Sequence, residues 1–203
     1  MHLLYIKNIM SKSINWRKEK FFFILCISFL ITSCNPNRNI TRHYVDSDSM
    51  SPSINPGDYV LVDSTLRTFD YGDILCYYFE GNKDLEPYMN AYRVVGLPGD
   101  SIEVKYDICV INGKQNPTEY TPNSKKGRYF LESEEELPNG IKIIIHHNAP
   151  GNHNVDRDPL RIPQDHYFIV GDYRCTSIDS RYFGAVHKDK ILGKVIKVIK
   201  GHK

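Results

Sequence analysis

The chain has 203 residues, 41% of them hydrophobic and 12% aromatic, with a net charge of +2 and five cysteines. That length suits one domain or two small ones with a real core. So small a net charge gives no reason to propose nucleic acid as a partner, since such binding needs a basic surface to displace counterions.

The charge is uneven along the chain. Lys7, Lys12, Arg17, Lys18 and Lys20 against Glu19 give residues 1–33 a local +4, which leaves −2 on the remaining 170. The basic start runs into Phe21-Phe22-Phe23-Ile24-Leu25-Cys26-Ile27-Ser28-Phe29-Leu30-Ile31, the n-region and h-region of an export signal. This apolar run is short for a spanning helix, which needs about 20 residues. It ends in Ile31-Thr32-Ser33-Cys34, which resembles the lipobox of bacterial lipoproteins, where a small residue precedes a cysteine that is acylated as the signal is removed. Residues 1–33 therefore read as an export signal with lipobox, and 34–43 as the lipidated Cys34 and a polar tether. An uncleaved N-terminal anchor is the alternative. In both readings membrane lipid is a partner, and the body faces the periplasm or cell exterior. Beyond Cys34, the scattered Cys76, Cys109 and Cys175 allow at most one disulfide and have no zinc spacing.

From there the pattern is β. Tyr59–Val62, Ile74–Phe79, Tyr92–Val95, Ile102–Lys105, Ile108–Ile111, Ile141–Ile145, Tyr167–Val170 and Val195–Val198 are short runs rich in β-branched and aromatic residues. Pro56-Gly57-Asp58, Tyr71-Gly72-Asp73, Asn112-Gly113 and Pro138-Asn139-Gly140 supply turns. No amphipathic helix of useful length and no repeat interrupts them. A mainly β body over residues 44–203 follows, built as two packed sheets or a partly closed barrel. A more polar stretch at about 115–163 reads as an inserted smaller lobe.

Three separated segments carry chemistry. Val45-Asp46-Ser47-Asp48-Ser49-Met50-Ser51-Pro52 precedes Gly57–Val62; Arg93-Val94-Val95-Gly96-Leu97-Pro98-Gly99-Asp100 lies in the middle; Tyr167–Arg174 leads into Ser177–Gly184. With Gly72-Asp73-Ile74 between the first two, they resemble the type I signal peptidases in order and spacing, over residues 44–113 and 163–198. Those are membrane-bound serine endopeptidases with a two-lobed antiparallel β fold, and they remove signal peptides from exported preproteins. The resemblance implies Ser49 as nucleophile, with its N–H and the Ser47 hydroxyl as oxyanion hole. It also implies that Ser177 orients the base, that Asp179 pairs with Arg181, and that Asp172 with Arg174 orders the same loop. The substrate would be a signal peptide cut after a small residue.

One position departs from the family. Where a lysine would precede Arg93 and accept the serine proton as a neutral amine, this chain has Tyr92. A neutral phenol is a weak base, and phenolate is scarce near neutral pH because its reference pKa is about 10. Arg93 does not help it, because adjacent strand residues point to opposite faces. Three arrangements remain open. Catalysis is lost or impaired and the chain binds peptides; another residue, such as His43, reaches Ser49; or Tyr92 serves as a hydrogen-bond relay.

Other features read as structural. His146-His147 with His153, Asp156 and Asp158 has the spacing of no common metal site, and no cofactor is expected. Cys175 is an ordinary loop cysteine. Asp48 is turned away from Ser49 by strand alternation.

Overall fold

β-branched and aromatic residues build strands through most of the described chain, and an interior strand of the largest sheet is buried on both faces over most of its length. The computed structural model describes residues 38–79, 88–115, 118–121, 130–148 and 155–201. The export signal, Cys34 and His153 lie outside them. The strands are β1 Ile40–Tyr44, β2 Tyr59–Asp63, β3 Ile74–Phe79, β4 Tyr88–Gly96, β5 Ser101–Lys105, β6 Ile108–Ile111, β7 Lys114–Gln115, β8 Thr118–Thr121, β9 Leu131–Glu136, β10 Lys142–His147, β11 Arg157–Arg161, β12 His166–Val170, β13 Val186–His187 and β14 Ile191–Ile199. A single-turn helix, α1 Ser180–Phe183, carries Asp179 at its N-cap.

These strands form a seven-stranded sheet in the order β1-β2-β14-β3-β4-β12-β13, a four-stranded sheet β11-β5-β6-β7 and a three-stranded sheet β10-β9-β8. Their ladders are antiparallel. The fold is mainly β, and among the described residues no sheet closes into a barrel: β1 and β13 are the edges of the largest one.

The three sheets share a core. Val95 of β4 packs with Ile102 and Ile111 of the four-stranded sheet, Ile143 and Ile145 of β10, and Phe168 and Val170 of β12. Tyr92 and Val94 enter a second cluster with Leu75, Tyr167 and Ile169, and Ala91 a third with Met50, Ile54, Val60 and Cys76. That is why residues on both faces of β4 from Ala91 to Gly96 are buried, Arg93 among them. Tight hairpins join β5 to β6 and β6 to β7. Tyr106 and Asp107 have φ of 50° and 68°, and Asn112 and Gly113 have 52° and 74°; positive φ at both central residues matches the twist of the flanking strands.

Three departures from the sequence reading concern the strands β1, β9 and β11. β1 begins at Ile40 and pairs with β2 from Ile40↔Asp63 onward, so residues 40–43 belong to the sheet and not to the tether. β9, Leu-Glu-Ser-Glu-Glu-Glu, has no apolar alternation because its fully buried positions are Ser133 and Glu135. β11 contains Pro159, which is tolerated because the strand is an edge and carries a bulge.

Glu135 is buried because Arg174 meets it. Nη2 of Arg174 lies 2.7 Å from Glu135 Oε2, and neither side chain is exposed. Burial opposes the Arg174 charge, but Glu135 and neighbouring anionic groups outweigh it and hold its pKa above the usual arginine value. Losing one partner of such a pair is costlier than losing both. Glu135→Leu alone should therefore destabilise the chain by about 3–5 kcal/mol, whereas Glu135→Leu with Arg174→Leu should cost clearly less than the two single changes together. Urea unfolding of the four chains measures this.

Candidate active site

Ser49 does not lie on a strand. β1 ends at Tyr44, and Ser49 follows in a turn closed by Ser51 N–H to Asp48 O at 2.8 Å and Ile54 N–H to Met50 O at 2.9 Å. Met50 and Ile54, 1% and 0% exposed, anchor that turn in the third cluster. Ser49 is thus held by its neighbours' burial. Its backbone is tied to the Gly171–Gly184 loop: Ser49 O accepts the Tyr173 N–H at 3.0 Å and the Ser177 hydroxyl lies at 3.0 Å. Asp48 does turn away, toward the Thr176 hydroxyl at 3.3 Å, as part of this turn and not by strand alternation.

The Ser49 hydroxyl donates to Asn90 Oδ1 at 3.0 Å. Asn90 Nδ2 in turn donates to the Tyr92 hydroxyl at 3.0 Å, and Tyr92 donates to Ile178 O at 2.7 Å. Asn90 and Tyr92 share one face of β4 because they are two residues apart. Burial, then the Tyr88 phenol and the Asp179 carboxylate, push the Tyr92 pKa upward. Tyr92 is therefore a neutral phenol and supplies no base.

Arg93, on the opposite face, makes a two-pronged contact with Asp172, Nε to Oδ1 at 2.8 Å and Nη2 to Oδ2 at 2.6 Å. Ser53 donates to the same carboxylate at 2.5 Å. Asp172 is thus paired with Arg93 and not with Arg174, whose guanidinium runs into the core toward Glu135 and donates to Gly171 O at 2.9 Å. Asp179 and Arg181 do meet, at 2.9 Å. Arg181 also reaches Asp107 at 2.8 Å and the Arg174 and Ser177 carbonyls. Ser177 faces the Ser49 and Tyr173 carbonyls, at 3.0 and 2.9 Å, so it steadies the backbone of Ser49 and not the side chain at position 92.

The Ser49 N–H donates to the Ser47 hydroxyl oxygen at 3.2 Å, which places the two implied oxyanion donors side by side. Beside them lies a cavity of about 30 Å³ lined in part by His43, Met50, Val60, Cys76, Met89 and Ala91. His43 shares this cavity, but its Nε2 is 2.7 Å from the Thr41 hydroxyl. Burial pushes the Cys76 thiol up to about 12, and burial followed by the Asp107 charge does the same for Cys175. Neither is a thiolate at neutral pH.

His146 and His147 are not brought into a metal cluster among the described residues. His146 lies 3.1 Å from Glu132, and the buried His147 lies 2.7 Å from Ser133 Oγ and 3.0 Å from Asn148 O. Burial lowers the His147 pKa.

The sequence profile described as "Signal peptidase, peptidase S26" matches residues 14–199. This chain belongs to the signal peptidase family. Signal peptidase IB of Staphylococcus aureus (strain COL) is 30% identical over 179 residues, 84% of this chain and 83% of that protein. Signal peptidase I S of Bacillus subtilis (strain 168) is 33% identical over 155 residues, 74% of this chain and 72% of that one. A solved structure of a signal peptidase I from Enterococcus faecalis V583 aligns with a TM-score of 0.37 and 24% identity, over 64% of this chain and 97% of that chain.

Asn90, Glu135, Asp107 and Ser53 escaped the sequence reading, since none belongs to the segments that carry the resemblance or stands out from ordinary polar residues. Gly171 lies inside such a segment, and its necessity is geometric. A Cβ there would stand 1.8 Å from Ser177 Oγ and 2.5 Å from Ser49 O. Gly171→Ala should therefore displace the Ser49 backbone, cost about 1–3 kcal/mol through overpacking and lower the melting midpoint by several degrees. Thermal unfolding followed by circular dichroism checks this.

Proposed function

We propose that this signal peptidase family member binds the signal peptides of exported preproteins at the Ser49 cleft and cleaves them after a small residue, with Ser49 as nucleophile. The observation that carries this reading is the placement of the Ser49 hydroxyl against the face of β4 that presents position 92, with the Ser49 N–H and the Ser47 hydroxyl together beside it. The small adjacent cavity favours a small side chain before the scissile bond. An oxyanion would take the Ser49 N–H from Ser47, and the Ser47 hydroxyl would then turn its own proton toward the same oxygen. Asp179 with Arg181, and Arg93 with Asp172, hold the wall of the cleft.

A second reading is favoured by one specific feature. The hydrogen bonds leading from Ser49 pass through a neutral amide and a neutral phenol to a backbone carbonyl, so no group in that series accepts a proton at neutral pH. A chain of this kind cleaves slowly or only binds. Cleavage of a signal-peptide substrate by the full-length protein in detergent separates the two. On the first reading, wild type is weakly active, Ser49→Ala is inactive, and Tyr92→Lys raises kcat/KM at least about a hundredfold, the range of a general base. Peptide binding without cleavage in all three would establish the second and overturn the first.

We further propose that the N-terminal segment holds the body at the membrane, facing the periplasm or cell exterior, with Cys34 acylated. The lipobox-like Ile31–Cys34 supports acylation. Metabolic labelling with an alkyne fatty acid should mark the wild type and not Cys34→Ala. Equal labelling, or a wild-type chain that carries none, would refute acylation.

A further inference from the structure

We propose that Asn90 is the residue that orients the nucleophile, and that Tyr92 acts on Ser49 only through it. This rests on the reading of Ser49 as nucleophile and adds to it a catalytic residue outside the motif segments.

The direction of each hydrogen bond along this path is set by groups with a single role. The Ala91 N–H, which can only donate, lies 2.9 Å from Asn90 Oδ1, so the amide oxygen occupies the side facing Ser49 and the amide nitrogen the side facing Tyr92. The Ile178 carbonyl can only accept, so the Tyr92 proton points to it at 2.7 Å. The phenol oxygen is then left to accept from Asn90 Nδ2 at 3.0 Å. With both ends set, the Ser49 proton is directed at Asn90 Oδ1, which leaves the hydroxyl lone pairs free for the cavity beside it. Tyr92 is 1% exposed and therefore holds the amide rigidly. Asn90 reaches the reacting oxygen; Tyr92 is a positioning residue.

The arrangement does half of what a lysine in that place would do. It aims the hydroxyl and takes no proton. In the reaction the Ser49 Oγ–carbon bond forms and the peptide C–N bond breaks. The serine proton ends on the departing amine nitrogen, and Asn90 gains and loses none.

The test uses the full-length protein in detergent and a fluorophosphonate probe, read by intact mass. There the Oγ–P bond forms, the P–F bond breaks, and the serine proton leaves with fluoride. Ser49→Ala should abolish labelling. Persistent labelling in that chain, or none in wild type, would remove Ser49 as nucleophile and the role of Asn90 with it. Given labelling that depends on Ser49, Asn90→Leu, similar in size with no acceptor, should slow it about tenfold, the worth of one hydrogen bond. Asn90→Asp should keep the rate and make it rise with pH through the carboxylate range. Tyr92→Phe should give a smaller loss. Equal rates in wild type and Asn90→Leu would overturn the role of Asn90. If the melting point shows that Asn90→Leu is unfolded, the Asn90→Asp profile decides alone, because a merely structural asparagine predicts no pH dependence.

Discussion

Strand β4 has no solvent face along Ala91–Gly96, and both of its faces are fastened to one loop. Its odd positions present Arg93 to Asp172, and its even positions present Tyr92 to the carbonyl of Ile178. Asp172 and Ile178 belong to the same Gly171–Gly184 stretch. Because neighbouring strand residues point oppositely, a slip of one residue would put a guanidinium in the aromatic cluster and a phenol against a carboxylate. The register of β4 therefore sets the cleft wall and the surroundings of Ser49 together. Ser49 joins the same unit through its own carbonyl, which receives Tyr173 N–H with Ser177 beside it.

Three buried arginines complete the unit, each against an anion from another part of the chain. Arg93 takes Asp172, Arg174 takes Glu135 of β9, and Arg181 takes Asp179 and Asp107. Charges out of water are costly unless paired and fully hydrogen-bonded, so each pair constrains position more than it adds net stability. Glu135 and Asp107 bring the three-stranded sheet and the β5–β6 turn into contact with the loop around Ser177. The three-stranded sheet thereby supports the loop around Ser177.

The centre of the site is electrically quiet by comparison. Between Ser49 and Ile178 lie an amide and a phenol, neither of which ionises near neutral pH, and burial moves the phenol further from doing so. The result is a well-aimed hydroxyl with no strong proton acceptor in its hydrogen-bond path. Family membership and chemical competence therefore rest on different features of this chain. The first follows from order and spacing along the sequence, and the second depends on which atom faces the serine.

The strands that bury apolar side chains were legible in the sequence. Ile74–Phe79 and Ile108–Ile111 have the observed bounds, and Asn112-Gly113 forms the expected turn, because local sterics and β-branching act within a few residues. Motif spacing, a property of the chain itself, also singled out Ser49, Ser47, Ser177 and Tyr92, which the fold brings into one neighbourhood. Three things came only from the fold. β9 hides its Ser and Glu inside because Arg174, some forty residues away, supplies the countercharge. Asp172 takes Arg93 and not Arg174 because the core draws Arg174 elsewhere. Asn90 meets Ser49 because a turn anchored by Met50 folds back onto β4. A sequence specifies local periodicity directly, whereas the partner of a buried polar group is decided by which distant segment the packing brings within hydrogen-bond reach.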